Sequence, residues 1–223
     1  MTHKTAQDVR DTFGFLTQDE LSILRSIVLF NLPEDPVIVN IGAGYGTSGL
    51  LFLESREDTT VYTIDIQDEQ AVNGSLNAER TAVKEAGLDH LAGTRWNQIH
   101  ADSHEAINEW VKKNHGQIDL LFIDGDHSYE GCMGDLDLWS PFVKSGGWII
   151  VHDYMREDSF IKRNPFVVLT QQKAAQIASS FPGVDRAVKE FLGGEDPTLV
   201  VDSLAIIPVS RPSLMFIGKE IKV

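Results

Sequence analysis

A chain of 223 residues is long enough for one α/β domain with a sizeable core, and its composition gives no sign of a second one. With 19 Lys and Arg against 33 Asp and Glu the net charge is −14, which argues against nucleic acid or an anionic membrane as the main partner and favours a small-molecule substrate. The single cysteine, Cys132, rules out an intramolecular disulfide. The opening MTHKTAQDVR lacks the apolar core of a secretory signal, and no apolar run approaches the roughly 20 residues of a bilayer span. A cytoplasmic protein is expected, with homo-oligomerisation left open.

Residues 1–36 read as a helical cap. Phe13 and Phe15 mark a leading arm or short helix that packs on the domain or covers a ligand. Thr17 to Glu20 forms a T-x-x-E capping box, and Leu21, Leu24, Ile27 and Val28 follow on one helical face. Asn31 to Pro36 breaks that helix, and the stretch VIVNIGAGYG (37–46) gives a strand, a glycine turn and then a helix over Thr47 to Ser55. The turn delivers a helix N-terminus with free N–H groups to a nucleotide-like ligand. Gly42, Gly44 and Gly46 alternate, and Thr47 stands where a dinucleotide fingerprint places its third glycine, so a nucleoside without phosphates is the better expectation.

A second strand, TVYTIDI (60–66), carries Asp65 and Ile66 at its end, 23 residues beyond Gly42, where a carboxylate faces the glycine turn and accepts from ribose hydroxyls. A helix over Gln70 to Gly87 and a weaker strand, Arg95 to His100, lead to Asp102 and Ser103. Asp102 caps the following helix, contacts the cofactor, or does both. That helix turns Ala106, Ile107, Trp110 and Val111 inward. The run IDLLFID (118–124) is apolar enough for a parallel strand buried on both faces, and it opens directly into Gly125, Asp126, His127, Ser128 and Tyr129. After a helix to Trp139 and a turn at Gly146-Gly147, a fifth strand, Trp148 to Val151, ends in His152-Asp153-Tyr154. Residues 156–181 suggest a lid, Val184 to Phe191 a helix, and Leu199 to Pro208 and Ser213 to Ile221 two terminal strands. The alternation predicts a doubly wound, mostly parallel α/β sheet of seven strands with helices on both faces and ligands at the carboxyl ends of its strands.

With IDGDHSYEG and GGWIIVHDY added to the glycine loop, Asp65 and Asp102-Ser103, the chain resembles class I S-adenosylmethionine-dependent methyltransferases, in the small-molecule branch that includes catechol and macrolide-sugar O-methyltransferases. The resemblance covers residues 37–154 and implies a Rossmann-like fold that transfers a methyl group to an oxygen, or to a nitrogen, of a small acceptor. It implies a methionine portion at Gly42, Gly44 and Gly46, a ribose at Asp65, and an adenine at Asp102 and Ser103, with Asn40 and Asp124 beside the cofactor. Asn40 departs from the pattern, since the family carries an acid there and an amide offers no charge to a cationic ligand. The positions that match a divalent metal site, for Mg²⁺ or Mn²⁺, are Asp124, His152 and Asp153. Coordination would acidify a substrate hydroxyl. Without a metal, His127 or His152 is the candidate general base.

Plainer roles compete. His127 can cap a helix, Asp126 and Asp135 read as solvated helix-end charges, Tyr45, Tyr129 and Tyr154 as packing, and Cys132 as a small helix residue. The alternative functions are a nicotinamide-dependent oxidoreductase, an iron oxygenase on the same histidines and carboxylates, and a non-catalytic binding protein that retains the cofactor fold.

Overall fold

The computed structural model describes residues 3–13, 16–67, 74–113, 115–154 and 182–210. Seven strands form one sheet: β1 (Val37–Ile41), β2 (Thr60–Asp65), β3 (Trp96–His100), β4 (Ile118–Ile123), β5 (Val143–Val151), β6 (Leu199–Val201) and β7 (Leu204–Pro208). Their order is β3-β2-β1-β4-β5-β7-β6, parallel through β5, with β7 antiparallel to β5 and β6. The described helices are α1 (Ala6–Phe13), α2 (Gln18–Phe30), α3 (Thr47–Ser55), α4 (Ser75–Glu85), α5 (Ser103–Lys113), α6 (Tyr129–Trp139) and α7 (Pro182–Phe191). None of them is long and apolar enough to cross a membrane.

Successive strand side chains leave opposite faces, so a strand buried on both sides feeds two cores. On β4, Leu120 and Phe122 join Leu24, Leu50 and Phe52 under α1 to α4, while Leu121 and Ile123 join Trp110, Leu136 and Trp139 under α5 to α7. Ile150 of β5 enters the first cluster and Ile149 and Val151 the second. The capping box of α2 is formed, with Thr17 Oγ1 accepting from Glu20 N–H and Glu20 accepting from Thr17 N–H.

Two expected boundaries move. Gly146-Gly147 lies inside β5 rather than in a turn before it: Gly146 takes φ +85°, the pairing with β4 shifts register between Ile118 and Leu120, and Gly146 N–H donates to Val209 O. A glycine in the left-handed region lets the strand bulge and stay in the sheet. The expected strand over Leu199 to Pro208 is instead a hairpin. Asp202 adopts φ +51°, and Val201 pairs with Leu204, so the chain reverses at Asp202-Ser203 and supplies both β6 and β7. The strand expected over Ser213 to Ile221, the lid over 156–181, Phe15 and the start of the Gln70 helix lie outside the described residues.

Candidate active site

Strand order reverses between β1 and β4, and in such sheets the crevice at the carboxyl ends of those strands takes ligands. The ladder continues past the strand ends: Gly42 N–H donates to Ile64 O, Asp124 N–H to Ile41 O, and His152 N–H to Ile123 O. These three bonds bring the glycine loop, Asp124 and His152 side by side. Gly42 has φ +91°, and a Cβ there would stand 2.0 Å from Asp124 O, so only glycine lets the two segments meet.

A first cavity of about 340 Å³ is lined by Gly42, Gly44, Asp65, Ile66, Asp102, Ser103 and Asp124, among others. Asp65 Oδ2 accepts from Ala43 N–H and Oδ1 from Gln67 N–H, both at 2.8 Å, so this carboxylate holds the glycine loop while facing the cavity. Asp102 caps α5 through His104 N–H. Gly46 is the N-cap of α3, and Asn40 is fully buried within β1; neither is among the residues of the cavity wall.

The second cavity, of about 390 Å³, is lined by Leu16, Tyr45, Asp124, His127, His152 and Asp153 among others. Asp124 Oδ1 is 2.9 Å from His152 Nδ1 and 3.5 Å from His127 Nε2. Asp153 Oδ2 is 2.9 Å from His127 Nε2 and 3.4 Å from His152 Nδ1, and Asp153 itself has φ +57°. The ligand atoms of Asp124, His152 and Asp153 all lie within 4.8 Å of one another. Burial opposes the charges of both aspartates, but the two histidines outweigh it and hold both carboxyls below the usual range. Hydrogen bonds to Asp124 and Asp153 raise His127 to about 9. His152 also lies well above its ordinary value, because Asp124, Asp153 and Glu20 overcome a burial that leaves it 5% exposed. Each aspartate therefore faces a histidine whose protonated form it stabilises.

Acids the sequence placed in solvent, or left unassigned, turn out to lie inside. Asp135 is 1% exposed on the α6 face that holds Cys132, Leu136 and Trp139; it accepts from Ser103 Oγ, and burial pushes its carboxyl up to about 6. Glu79 of α4 is fully buried and accepts from Thr63 Oγ1 (2.7 Å), Gln98 Nε2 (2.7 Å) and Trp96 Nε1 (3.4 Å). Asn40 Nδ2 faces Thr63 Oγ1 at 3.4 Å, which links the amide of β1 to this acid. The signal was present, because Leu76, Ala82 and Val83 put Glu79 on the inward face of its helix. Burial pushes the Cys132 thiol up to about 12, which leaves it inert as a nucleophile at neutral pH.

Residues 39–154, just over half of the chain, match the family model of a methyltransferase domain. An uncharacterized protein of Acanthamoeba polyphaga mimivirus is 28% identical over 144 residues, which are 64% of this chain and 62% of that one. The chain spans 62% and 51% of the lengths of the first two curated relatives it matches. Among solved structures, the O-methyltransferase TomG of Streptomyces achromogenes, involved in tomaymycin synthesis and solved with S-adenosylmethionine, shares the fold at a TM-score of 0.62. It is 14% identical, over 92% of this chain and 88% of that one. The MycE methyltransferase of the mycinamycin pathway, solved with Mg, S-adenosylhomocysteine and mycinamycin VI, matches at a TM-score of 0.55. It is 16% identical, over 99% of this chain and 58% of that one.

Proposed function

The chain belongs to the methyltransferase-domain family, and we propose that it transfers the methyl group of S-adenosylmethionine to an oxygen of a small-molecule acceptor. The observation that carries this reading is Asp124, which lines both cavities, so that a cofactor in one and an acceptor in the other meet at its carboxylate. In the first cavity the remaining lone pairs of Asp65 accept from the ribose hydroxyls, Asp102 and Ser103 flank the base, and Gly42 and Gly44 leave room for the methionine portion. In the second, an acceptor hydroxyl lies among Asp124, His127 and Asp153. Holding that oxygen in line with the methyl group and sulfur is the main contribution of the chain. His127, one-third exposed on the wall, presents Nε2 as the atom that takes the hydroxyl proton, in the deprotonated fraction that grows toward pH 9.

A divalent cation fits the same corner. Two carboxylates and an imidazole within 4.8 Å suit Mn²⁺, Fe²⁺ or Zn²⁺ as well as Mg²⁺, and the Mg-bound MycE supports that assignment. When bound, such an ion would lower the pKa of a coordinated hydroxyl and fix its orientation. The single buried cysteine suits a reducing, cytoplasmic setting.

The test is a turnover screen with methyl-labelled S-adenosylmethionine against hydroxylated acceptors, with and without chelator, beside calorimetric titration of S-adenosylhomocysteine and a nicotinamide dinucleotide. Label should move to a hydroxylated acceptor, and Asp124→Ala should abolish the transfer. Binding of the dinucleotide with no binding of S-adenosylhomocysteine would sink the proposal.

A further inference from the structure

The glutamate of the α2 capping box has an unusual environment. A capping glutamate usually sits on the surface, where its only task is to accept from the N-cap N–H. Glu20 is fully buried. Its Oε2 accepts from Thr17 N–H at 2.8 Å, and its Oε1 accepts from Ser203 N–H at 2.7 Å and Ser203 Oγ–H at 2.6 Å, at the reversal between β6 and β7. A carboxylate taken out of water needs more than neutral donors. The group that answers it is His152, whose Nε2 stands 3.6 Å from Glu20 Oε2 and 3.4 Å from Ser203 Oγ. The other ring nitrogen, Nδ1, faces Asp124 Oδ1 at 2.9 Å and Asp153 Oδ2 at 3.4 Å. The imidazole thus lies between the α2 carboxylate on one side and the Asp124–Asp153 pair on the other.

We infer that Glu20 is a positioning residue of the site: its carboxylate, paired with His152 Nε2 at 3.6 Å and fixing Ser203 Oγ, which stands 3.4 Å from the same nitrogen, keeps the ring proton on Nε2 and so leaves Nδ1, beside Asp124 and Asp153, as the atom that ligates a divalent cation. A histidine ligand needs its second nitrogen fixed, because the partner of that N–H decides both tautomer and ring orientation. Glu20 comes from the helical cap and Ser203 from the terminal hairpin, both outside the matched stretch 39–154, so two segments flanking the family core converge on one ligand of its crevice. The inference rests on the divalent-cation reading of the preceding section.

Calorimetric titration of Mn²⁺ into the full chain tests it, using the wild type, Glu20→Gln, His152→Ala and the double variant. In Glu20→Gln an amide N–H₂ turned toward Nε2 favours the tautomer with the proton on Nδ1, and Mn²⁺ affinity should fall about 10- to 100-fold. The same substitution should change nothing further in the His152→Ala background, where no ring is left to orient. S-adenosylhomocysteine affinity should be unaltered in Glu20→Gln. A wild type that binds Mn²⁺ and a Glu20→Gln that binds it equally, or an equal loss in both backgrounds, overturns the role of Glu20 and leaves the metal reading standing. A wild type that binds no Mn²⁺ overturns the metal reading and the inference with it, while methyl transfer is judged by its own screen. If Glu20→Gln does not fold, ¹⁵N NMR of the Zn²⁺-loaded wild type decides: a protonated Nε2 with a ligated Nδ1 on His152 supports the inference, and the reverse overturns it.

Discussion

Replacing Glu79 by glutamine should remove a pH dependence of stability that the buried acid imposes. Burial raises the Glu79 carboxyl from 4.5 to about 7, against the opposing hydrogen bonds of Gln98, Thr63 and Trp96. The folded state therefore binds this proton more tightly than the unfolded chain. Its stabilising contribution is complete below about pH 4.5 and is lost as pH rises through about 7. At about 1.4 kcal/mol per pH unit the loss amounts to roughly 3 kcal/mol by pH 8, or about 6–12 °C in Tm for a chain of this size. Glutamine keeps the shape and one acceptor but does not titrate, so any packing cost it brings is the same at every pH. Denaturant unfolding of both proteins from pH 5 to 8.5 isolates the effect, because every other titrating group is shared and cancels in the difference. The wild type should lose about 2.5 kcal/mol relative to Glu79→Gln across that range, the part of the shift already lost by pH 5 accounting for the rest. Parallel stability curves would show that the carboxyl is charged throughout and that the reasoning from burial fails.

Two further outcomes concern the glycine loop. Gly42→Ala puts a Cβ 2.0 Å from Asp124 O at a backbone angle of +91°, and should cost at least about 2 kcal/mol in thermal or chemical unfolding and abolish S-adenosylhomocysteine binding. A variant with unchanged Tm and affinity would contradict the close approach. Asp65→Ala removes the acceptor of the Ala43 and Gln67 N–H groups along with the proposed ribose contact, and should weaken S-adenosylhomocysteine about 10- to 100-fold by calorimetry, at about 1.5–3 kcal/mol for hydrogen bonds to a charged group. An unchanged affinity would leave Asp65 as a loop clamp only.

What the sequence made legible follows from which forces act locally. TVYTIDI and IDLLFID could be read as strands because a parallel strand covered on both faces has no polar alternation to obscure it. The glycine loop could be read because its backbone geometry forbids side chains. The hairpin at Asp202-Ser203 could not, since an aspartate in the left-handed region looks like any other residue of an apolar run, and only pairing with β5 and β6 selects the reversal. Gly146-Gly147 signals a turn and a bulge alike, and the bonds to Val209 decide between them. Acids were the hardest to place. Asp135 and Glu20 read as solvated or capping charges and Glu79 drew no assignment, because the donors that admit them to the interior come from Ser103, Ser203 and Gln98 on distant elements.

The distribution of these acids bears on which cofactor the crevice admits. Asp65, Asp102, Asp124 and Asp126 line the first cavity, and no lysine or arginine lines either cavity among the described residues. The groups that offset Asp124 and Asp153 are His152 and His127, on the wall of the second cavity. A pyrophosphate in the first cavity would face several carboxylates and, among the described residues of its wall, no lysine or arginine, and each carboxylate about 4 Å away costs roughly 1–4 kcal/mol per unit charge, depending on local screening. A sulfonium and an ammonium reverse the sign of that interaction, so these carboxylates favour the proposed S-adenosylmethionine over a dinucleotide. Asn40 fits this balance. An acid at that position would stand beside Thr63, which already donates to Glu79, and a second buried carboxyl so close would have to stay protonated or be expelled. The amide keeps a polar group in β1 while Glu79, one hydroxyl away, carries the carboxyl.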